Sequence, residues 1–235
     1  MVTKLLSDQV GFKQSRIDEC VFYRGHSIYV LYTDDSILAG PDEDELNQIV
    51  EDMKTSGLKL TVEGDISDFL GVKVDRHPDG TIHMTQPQLI DSTLKDLRLE
   101  GPDTHIKNTP AKVGVTLTRH QESEPFDGHF DYRSVIGKAN YLEKSTRPDI
   151  AYAVHQCARF SSDPKIEHGE AVKWLGRYLR ATRDKGLIFN LTDQSFDCWV
   201  DADFAGNWDP KDANHPDTAR SRTGYIIMYA GCPIV

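Results

Sequence analysis

The chain has no long hydrophobic run. Its apolar stretches end after a few residues, well short of the roughly 20 that a membrane-spanning helix requires. The first twenty residues include Lys4, Asp8, Lys13, Arg16, Asp18 and Glu19, with no apolar core of signal-peptide length among them, so no secretion signal is expected there. The expectation is an intracellular protein, not secreted, with no membrane partner. Cysteine is scarce. Cys20, Cys157, Cys198 and Cys232 lie far apart and form no Cys-x-x-Cys pair, which argues against zinc and against a disulfide framework. Internal repeats and low-complexity tracts are absent as well.

What remains is an ordinary globular composition, 38% hydrophobic and 27% charged over 235 residues. That suffices for a real core, in one large domain or two modest ones. The formal net charge of −10 argues at first against a nucleic-acid partner, but the charge is unevenly spread. Residues 1–132 carry 13 Lys and Arg against 24 Asp and Glu, residues 133–185 carry 11 against 6, and residues 186–235 carry 3 against 7. A basic block between acidic ones suits a phosphate-binding surface flanked by metal-binding segments. It equally suits uneven sampling of an ordinary surface.

The most informative stretch runs from Ile28 to Gly40. Two short apolar segments rich in β-formers flank the adjacent carboxylates Asp34 and Asp35, a pattern that predicts strand, tight turn and returning strand. Unpaired neighbouring carboxylates repel each other, and a divalent cation with hard oxygen ligands would remove that cost. Taken alone, Tyr32-Thr33-Asp34-Asp35 fits a solvated acidic turn better than a metal site.

Downstream, Leu46, Ile49, Val50 and Met53 mark one face of a helix over 43–55. Strands are expected at Leu58–Val62, Phe69–Val74 and Thr81–Thr85, with His77-Pro78-Asp79-Gly80 as the turn between the last two. Pro87 opens a helix to about Leu97. Strands and helices on an antiparallel sheet make this an α+β chain. From Leu99 to Asp131 the sequence is polar and aperiodic, the signature of a linker or extended connection. Helices follow over 132–144, from Pro148 to about Phe160, and over 167–180. The last has an apolar face of Ala171, Trp174, Leu175, Tyr178 and Leu179. Lys173, Arg177 and Arg180 line up opposite, either as a solvated face or as a stripe that tracks phosphates. Strand-like segments return at Leu187–Phe189, Cys198–Val200 and Thr223–Tyr229.

Several segments, in order, resemble one family. They are Gly11-Phe12 through Cys20-Val21-Phe22-Tyr23, the Tyr32–Asp35 quartet, Phe69-Leu70-Gly71-Val72 and Met84-Thr85-Gln86. Then come Tyr132 to Gly137, Thr146-Arg147-Pro148-Asp149-Ile150 through Val154, Trp174-Leu175 with Arg177-Tyr178-Leu179, Asp201 to Gly206, and Ser221 to Tyr225. Together they resemble the C-terminal half of a copia-type retrotransposon reverse transcriptase running into its ribonuclease H domain. Thr33 stands where that family usually has valine, a β-branched exchange expected to leave strand geometry intact.

The resemblance implies a partial palm over 1–98, a connection over 99–131, a helical thumb or connection region over 132–185, and the start of a ribonuclease H-like fold over 186–235. It implies two-metal nucleotidyl transfer with Mg²⁺ or Mn²⁺, Asp34 and Asp35 as ligands and Tyr32 packing beneath them. In the ribonuclease H part it implies Asp201, and less firmly Asp203, as metal-binding carboxylates. The partners would be an RNA/DNA template–primer duplex, plus deoxynucleotides if the missing palm and fingers were present. The setting would be the cytoplasm, in a virus-like particle, or the nucleus. A further palm aspartate and the remaining ribonuclease H carboxylates are expected outside this chain, so little activity is expected from it alone. The alternative is a non-catalytic remnant that binds nucleic acid through Lys173, Arg177 and Arg180.

Overall fold

The computed structural model describes residues 2–119, 123–208, 210, 213 and 220–234. The chain divides into two compact units, Met1–Asp65 and Ile66–Val235. All of its paired strands run antiparallel, as the α+β reading requires.

In the first unit, α1 (Val2–Asp8) precedes a meander of β1 (Lys13–Gln14), β2 (Val21–Arg24), β3 (Ser27–Tyr32) and β4 (Asp35–Ala39), closed by α2 (Glu43–Thr55). Asp42 caps α2 by accepting from the Asp44 and Glu45 amides, and Glu43, Asp44 and Glu45 complement the positive end of its dipole. Ile49 and Met53 of α2 bury against Leu6, Val10, Phe12, Phe22 and Tyr29. Arg24 ties the layers, donating to the Val10 carbonyl at 2.8 Å and pairing with Asp52 at 2.7 Å. The expected strand over 58–62 does not form. Leu58 and Leu60 do pack on this core, but the segment pairs with no neighbour; alternation shows which side faces inward, not whether another strand lies alongside.

The second unit opens with β5 (Asp68–Phe69), β6 (Val72–Arg76), β7 (Ile82–Thr85) and α3 (Pro87–Asp96). The single strand expected over 69–74 is instead a hairpin. Phe69 pairs with Val72 across Leu70 and Gly71, both at positive φ (53° and 74°), the requirement of a type I′ turn. The helices α4 (Tyr132–Ser145), α5 (Ala151–Ala158, entered through a 3₁₀ turn, Pro148–Ile150) and α6 (Ile166–Ala181) build the larger core with α3. β8 (Leu187–Phe189) then joins β7, giving the sheet order β5-β6-β7-β8. A second sheet holds β9 (Phe196–Ala202), β10 (Thr223–Tyr229) and β11 (Cys232–Pro233) in the order β11-β10-β9.

Residues 99–131 form no helix or strand where described, yet they are pinned along α6. The Trp174 indole donates to the Thr109 carbonyl at 2.9 Å, and the Ile166 amide to the Glu124 carbonyl at 3.1 Å. Gly169 and Gly176 of α6 make this approach possible. A methyl group at Gly169 would lie 2.5 Å from the Phe126 ring, and one at Gly176 would lie 2.6 Å from Leu97. His168, fully buried and stacked on Phe160 at 3.8 Å, joins strap to helix. Its Nδ1 accepts from the Lys165 amide and its Nε2 donates to the Thr118 carbonyl, both at 2.9 Å. Those partners fix a neutral tautomer.

Arg147, 1% exposed, lies at the centre of the helical part. Its guanidinium forks onto Asp149 with two 2.8 Å bonds and donates to the Thr182 carbonyl (3.0 Å) and hydroxyl (2.7 Å). It also lies over the Tyr178 ring, whose hydroxyl donates to Asp149 at 2.7 Å. Burial pushes the Asp149 carboxyl up, but the hydrogen bonds from Arg147 and Tyr178 outweigh it and hold the group below its usual range.

Arg147→Met removes one partner of this buried network and is expected to cost about 3 kcal/mol. Arg147→Lys recovers little of that, because an ammonium cannot form the fork. Urea unfolding followed by tryptophan fluorescence measures both, since all three tryptophans lie in this unit. Burial lowers the His168 pKa in the fold, against the opposing pull of Thr118 and Glu167. The unfolded chain therefore binds the proton more readily, and stability is expected to fall as pH drops through about 6.5 and below. His168→Asn should flatten that slope in melts between pH 7.5 and 5.5.

Candidate functional site

The hairpin forms as expected. Tyr32 pairs directly with Asp35, which leaves Thr33 and Asp34 as a two-residue turn. Asp34 sits at the tip and Asp35 opens the returning strand, so one bend presents both carboxylates to solvent. Neither is engaged by another described side chain. The positive φ falls on Thr33 (48°) and not on Asp34, the pattern of a type II′ turn, whose first position favours glycine. Thr33 is thus a turn residue and not a strand residue, and a β-branched side chain there is strained. Tyr32 does not pack beneath the acids. It is 57% exposed and stands across the ladder from Asp35.

The rest of the meander explains this placement. Phe22, Tyr29 and Leu38 share the face that packs on α1 and α2. Tyr23, Ile28, Val30, Tyr32, Ile37 and Asp35 share the opposite face, which carries no layer within this unit.

The second carboxylate pair lies in the other unit, at the end of β9. Asp201 is exposed, pairs with Gly224 of β10, and accepts from the Ala202 amide at 2.8 Å. Asp203 follows the strand. Its carboxylate accepts from the Arg222 amide, and its own amide donates to the Arg222 carbonyl at 3.0 Å. Asp203 therefore holds two chain segments together, whereas Asp201 is the freer group. Among the described residues no group of three or more His, Cys, Asp or Glu side chains is arranged to hold a metal ion.

On α6, Lys173, Arg177 and Arg180 are all half-buried. Arg180 donates to the carbonyls of Leu99, at 2.6 Å, and Gly101. It fastens the strap, whereas Lys173 and Arg177 make no side-chain hydrogen bond among the described residues. Lys107 of the strap lies 4.1 Å over the Trp174 ring beside them.

A family profile described as reverse transcriptase (RNA-dependent DNA polymerase) matches residues 1–112, which contain the acidic hairpin. The chain is 30% identical over 225 residues to the retrovirus-related Pol polyprotein from transposon TNT 1-94 of Nicotiana tabacum, covering 91% of this chain and 16% of that protein. The chain is thus a relative of copia-type retrotransposon Pol polyproteins, with its reverse transcriptase match in residues 1–112. Pol polyproteins from transposons RE2 and RE1 of Arabidopsis thaliana are 31% and 30% identical, each over 96% of this chain and 15% of their own length. The chain thus spans about one sixth of the length of these three Pol polyproteins. No solved structure matches it. Among the described residues no helix is long and apolar enough to cross a membrane.

The network around Arg147 escaped the sequence reading, although Thr146 to Ile150 stood out as a family segment. The signal was an arginine followed two residues later by an aspartate across a proline, a spacing that permits a fork once Pro148 turns the chain. Thr33→Asn should relieve the turn, because asparagine tolerates positive φ. The expected gain is about 1 kcal/mol, seen as slower amide hydrogen exchange across β3 and β4.

Proposed function

We propose that this chain is part of an RNA-directed DNA polymerase in which Asp34 and Asp35 are ligands of the divalent metal ions of nucleotidyl transfer. The supporting observation is that one two-residue turn, inside the segment matching the reverse transcriptase profile, exposes two adjacent carboxylates with no described side-chain partner. Hard anionic oxygens at a turn tip suit Mg²⁺ or Mn²⁺, which keep open positions for phosphate oxygens. When bound, such ions activate a primer 3′-hydroxyl and stabilise the leaving pyrophosphate. The chain's own part is to hold the carboxylates at a fixed spacing on a short hairpin. Asp34, at the tip, is the direct ligand of choice, and Tyr32 offers its exposed ring across from Asp35.

On this reading residues 1–98 belong to a palm, 99–131 to a connection, 132–185 to a thumb or connection region, and 186–235 to the start of a ribonuclease H-like part with Asp201 as its metal ligand. An RNA/DNA template–primer duplex is the partner, and Lys173 with Arg177 are the candidates for its phosphates. Two carboxylates are fewer than a two-metal centre uses, so the chain by itself should extend primers weakly at most.

Addition of Mn²⁺ to the isotope-labelled chain tests the assignment. Paramagnetic broadening should be strongest at the amides of Thr33 to Ser36, should be competed by excess Mg²⁺, and should vanish in Asp34→Asn/Asp35→Asn. Broadening that persists in the double variant, or that spares the hairpin, overturns it.

A further inference from the structure

His168 is a buried titratable group with no part in the acidic hairpin. It sits in the first turn of α6 and bridges two segments. Its Nδ1 accepts from the Lys165 amide, and its Nε2 donates to the Thr118 carbonyl of the strap, both at 2.9 Å. Backbone contacts surround it. The Phe126 amide donates to the Pro164 carbonyl at 3.0 Å, the Ile166 amide donates to the Glu124 carbonyl at 3.1 Å, and Pro125 forms an isolated antiparallel bridge with Lys165. The Thr118 hydroxyl is buried without a hydrogen-bond partner, so the imidazole is what ties Thr118 to the helix.

Charged groups face the ring from several sides. Glu167 Oε1, buried and without a hydrogen bond, lies 3.7 Å from Nε2. Lys165 and Asp163 lie just before α6 and pair with each other at 3.1 Å. Phe160 stacks on the ring, and the Arg159 guanidinium lies 5.2 Å from the Phe160 centroid. On the strap side the contact is the Thr118 carbonyl, with Arg119 next along the chain.

We propose that His168 is a proton-operated latch: a proton on Nδ1 opens the strap contact and the first turn of α6 while the helical core stays folded. The proton turns an acceptor into a donor. Nδ1–H then meets the Lys165 N–H head-on, and the back-bond of the capping box is lost. The ring also becomes a cation at a place with no exposure, a cost relieved by turning outward into water. That movement takes Nε2 away from Thr118. The losses are local, because Val172, Leu175 and Leu179 hold the inner face of α6 in the core with Leu142 and Ile150. The open form binds the proton with ordinary histidine affinity, whereas burial lowers the pKa in the closed form despite the pull of Thr118 and Glu167. The latch therefore stays shut above about pH 6.5 and opens as pH falls below it. A second imidazole, His129, lies beside Phe126 but pairs with Asp127 within the strap.

Amide hydrogen exchange of the full-length chain between pH 7.5 and 5.0 tests the latch. Protection factors, corrected for intrinsic exchange, should fall at Lys165, Ile166 and Phe126 below about pH 6.5, approaching tenfold per unit. Low concentrations of urea should leave these values unchanged, because a local opening exposes little surface. Leu142 and Leu175 should be better protected at every pH, and urea should lower their protection. The ¹⁵N shifts of the His168 ring should show Nδ1 gaining its proton in step with the opening. His168→Gln keeps an oxygen for the Lys165 amide, as glutamine does at this position of a capping box, and should remove the pH dependence. His129→Gln should preserve it. Protection that stays flat with pH in the parent chain overturns the proposal. So does strap exchange that matches Leu142 and Leu175 in size and urea dependence, or a pH dependence that survives His168→Gln.

Discussion

The second unit is organised around one deeply buried cation, the guanidinium of Arg147. A cation at 1% exposure is tolerable only when its donors are matched by acceptors, and the matches here come from chain ends: Asp149 in the 3₁₀ turn and Thr182 after α6. Its neighbour Thr146 donates to the buried Gln86 amide oxygen at 2.9 Å, at the junction of β7 and α3. The ends of four elements are therefore fixed against one another. The effect reaches the sheet, because β8 begins five residues after Thr182. There Gly186 lies so close to β7 that a methyl group would sit 2.0 Å from the Met84 carbonyl oxygen.

The uneven charge along the sequence has a structural explanation in the same region. Lys138 pairs with Asp96, and Arg183 with Asp91, so basic residues of 133–185 are neutralised by acids on α3. Arg147 and Lys165 pair with Asp149 and Asp163, and Arg180 is used on carbonyls. Part of the apparent basic surplus therefore stabilises the fold. Lys173 and Arg177 on α6, with the exposed Lys144 and Lys185, are outside these pairings, so the charge open to an anionic partner is less than the linear count suggests.

Where side-chain periodicity and turn chemistry agree, the sequence is legible. α2 matches its predicted range because Asp42 caps it and Ile49 and Met53 need burial. The acidic hairpin is legible because its register follows from two apolar runs separated by a short polar break. The failures have physical causes. The turn at Leu70-Gly71 interrupts an apolar run with no polar residue to announce it, since leucine rarely takes positive φ. The strap over α6 is invisible to periodicity because backbone carbonyls and glycine contacts hold it, not an apolar stripe. The role of Arg147 is equally hidden, since a sequence does not reveal which charges are buried. At the site, the sequence offered both carboxylate pairs and already ranked Asp201 above Asp203, but the structure alone shows the Arg222 amide engaging Asp203 and Tyr32 exposed to solvent.

The β3–β4 bend has a consequence for how such a sequence can change over time. Its two sheet faces alternate residue by residue, and Tyr32 and Asp35 are separated by only two positions. Inserting or deleting a single codon between them would shift the ladder by one, turning Tyr29 or Leu38 away from the core and swinging Asp35 to the inner side. Point substitutions in the bend can accumulate while the acids stay in place, whereas a change of length cannot. Copies of such an element should therefore vary in letters at this bend long before they vary in spacing.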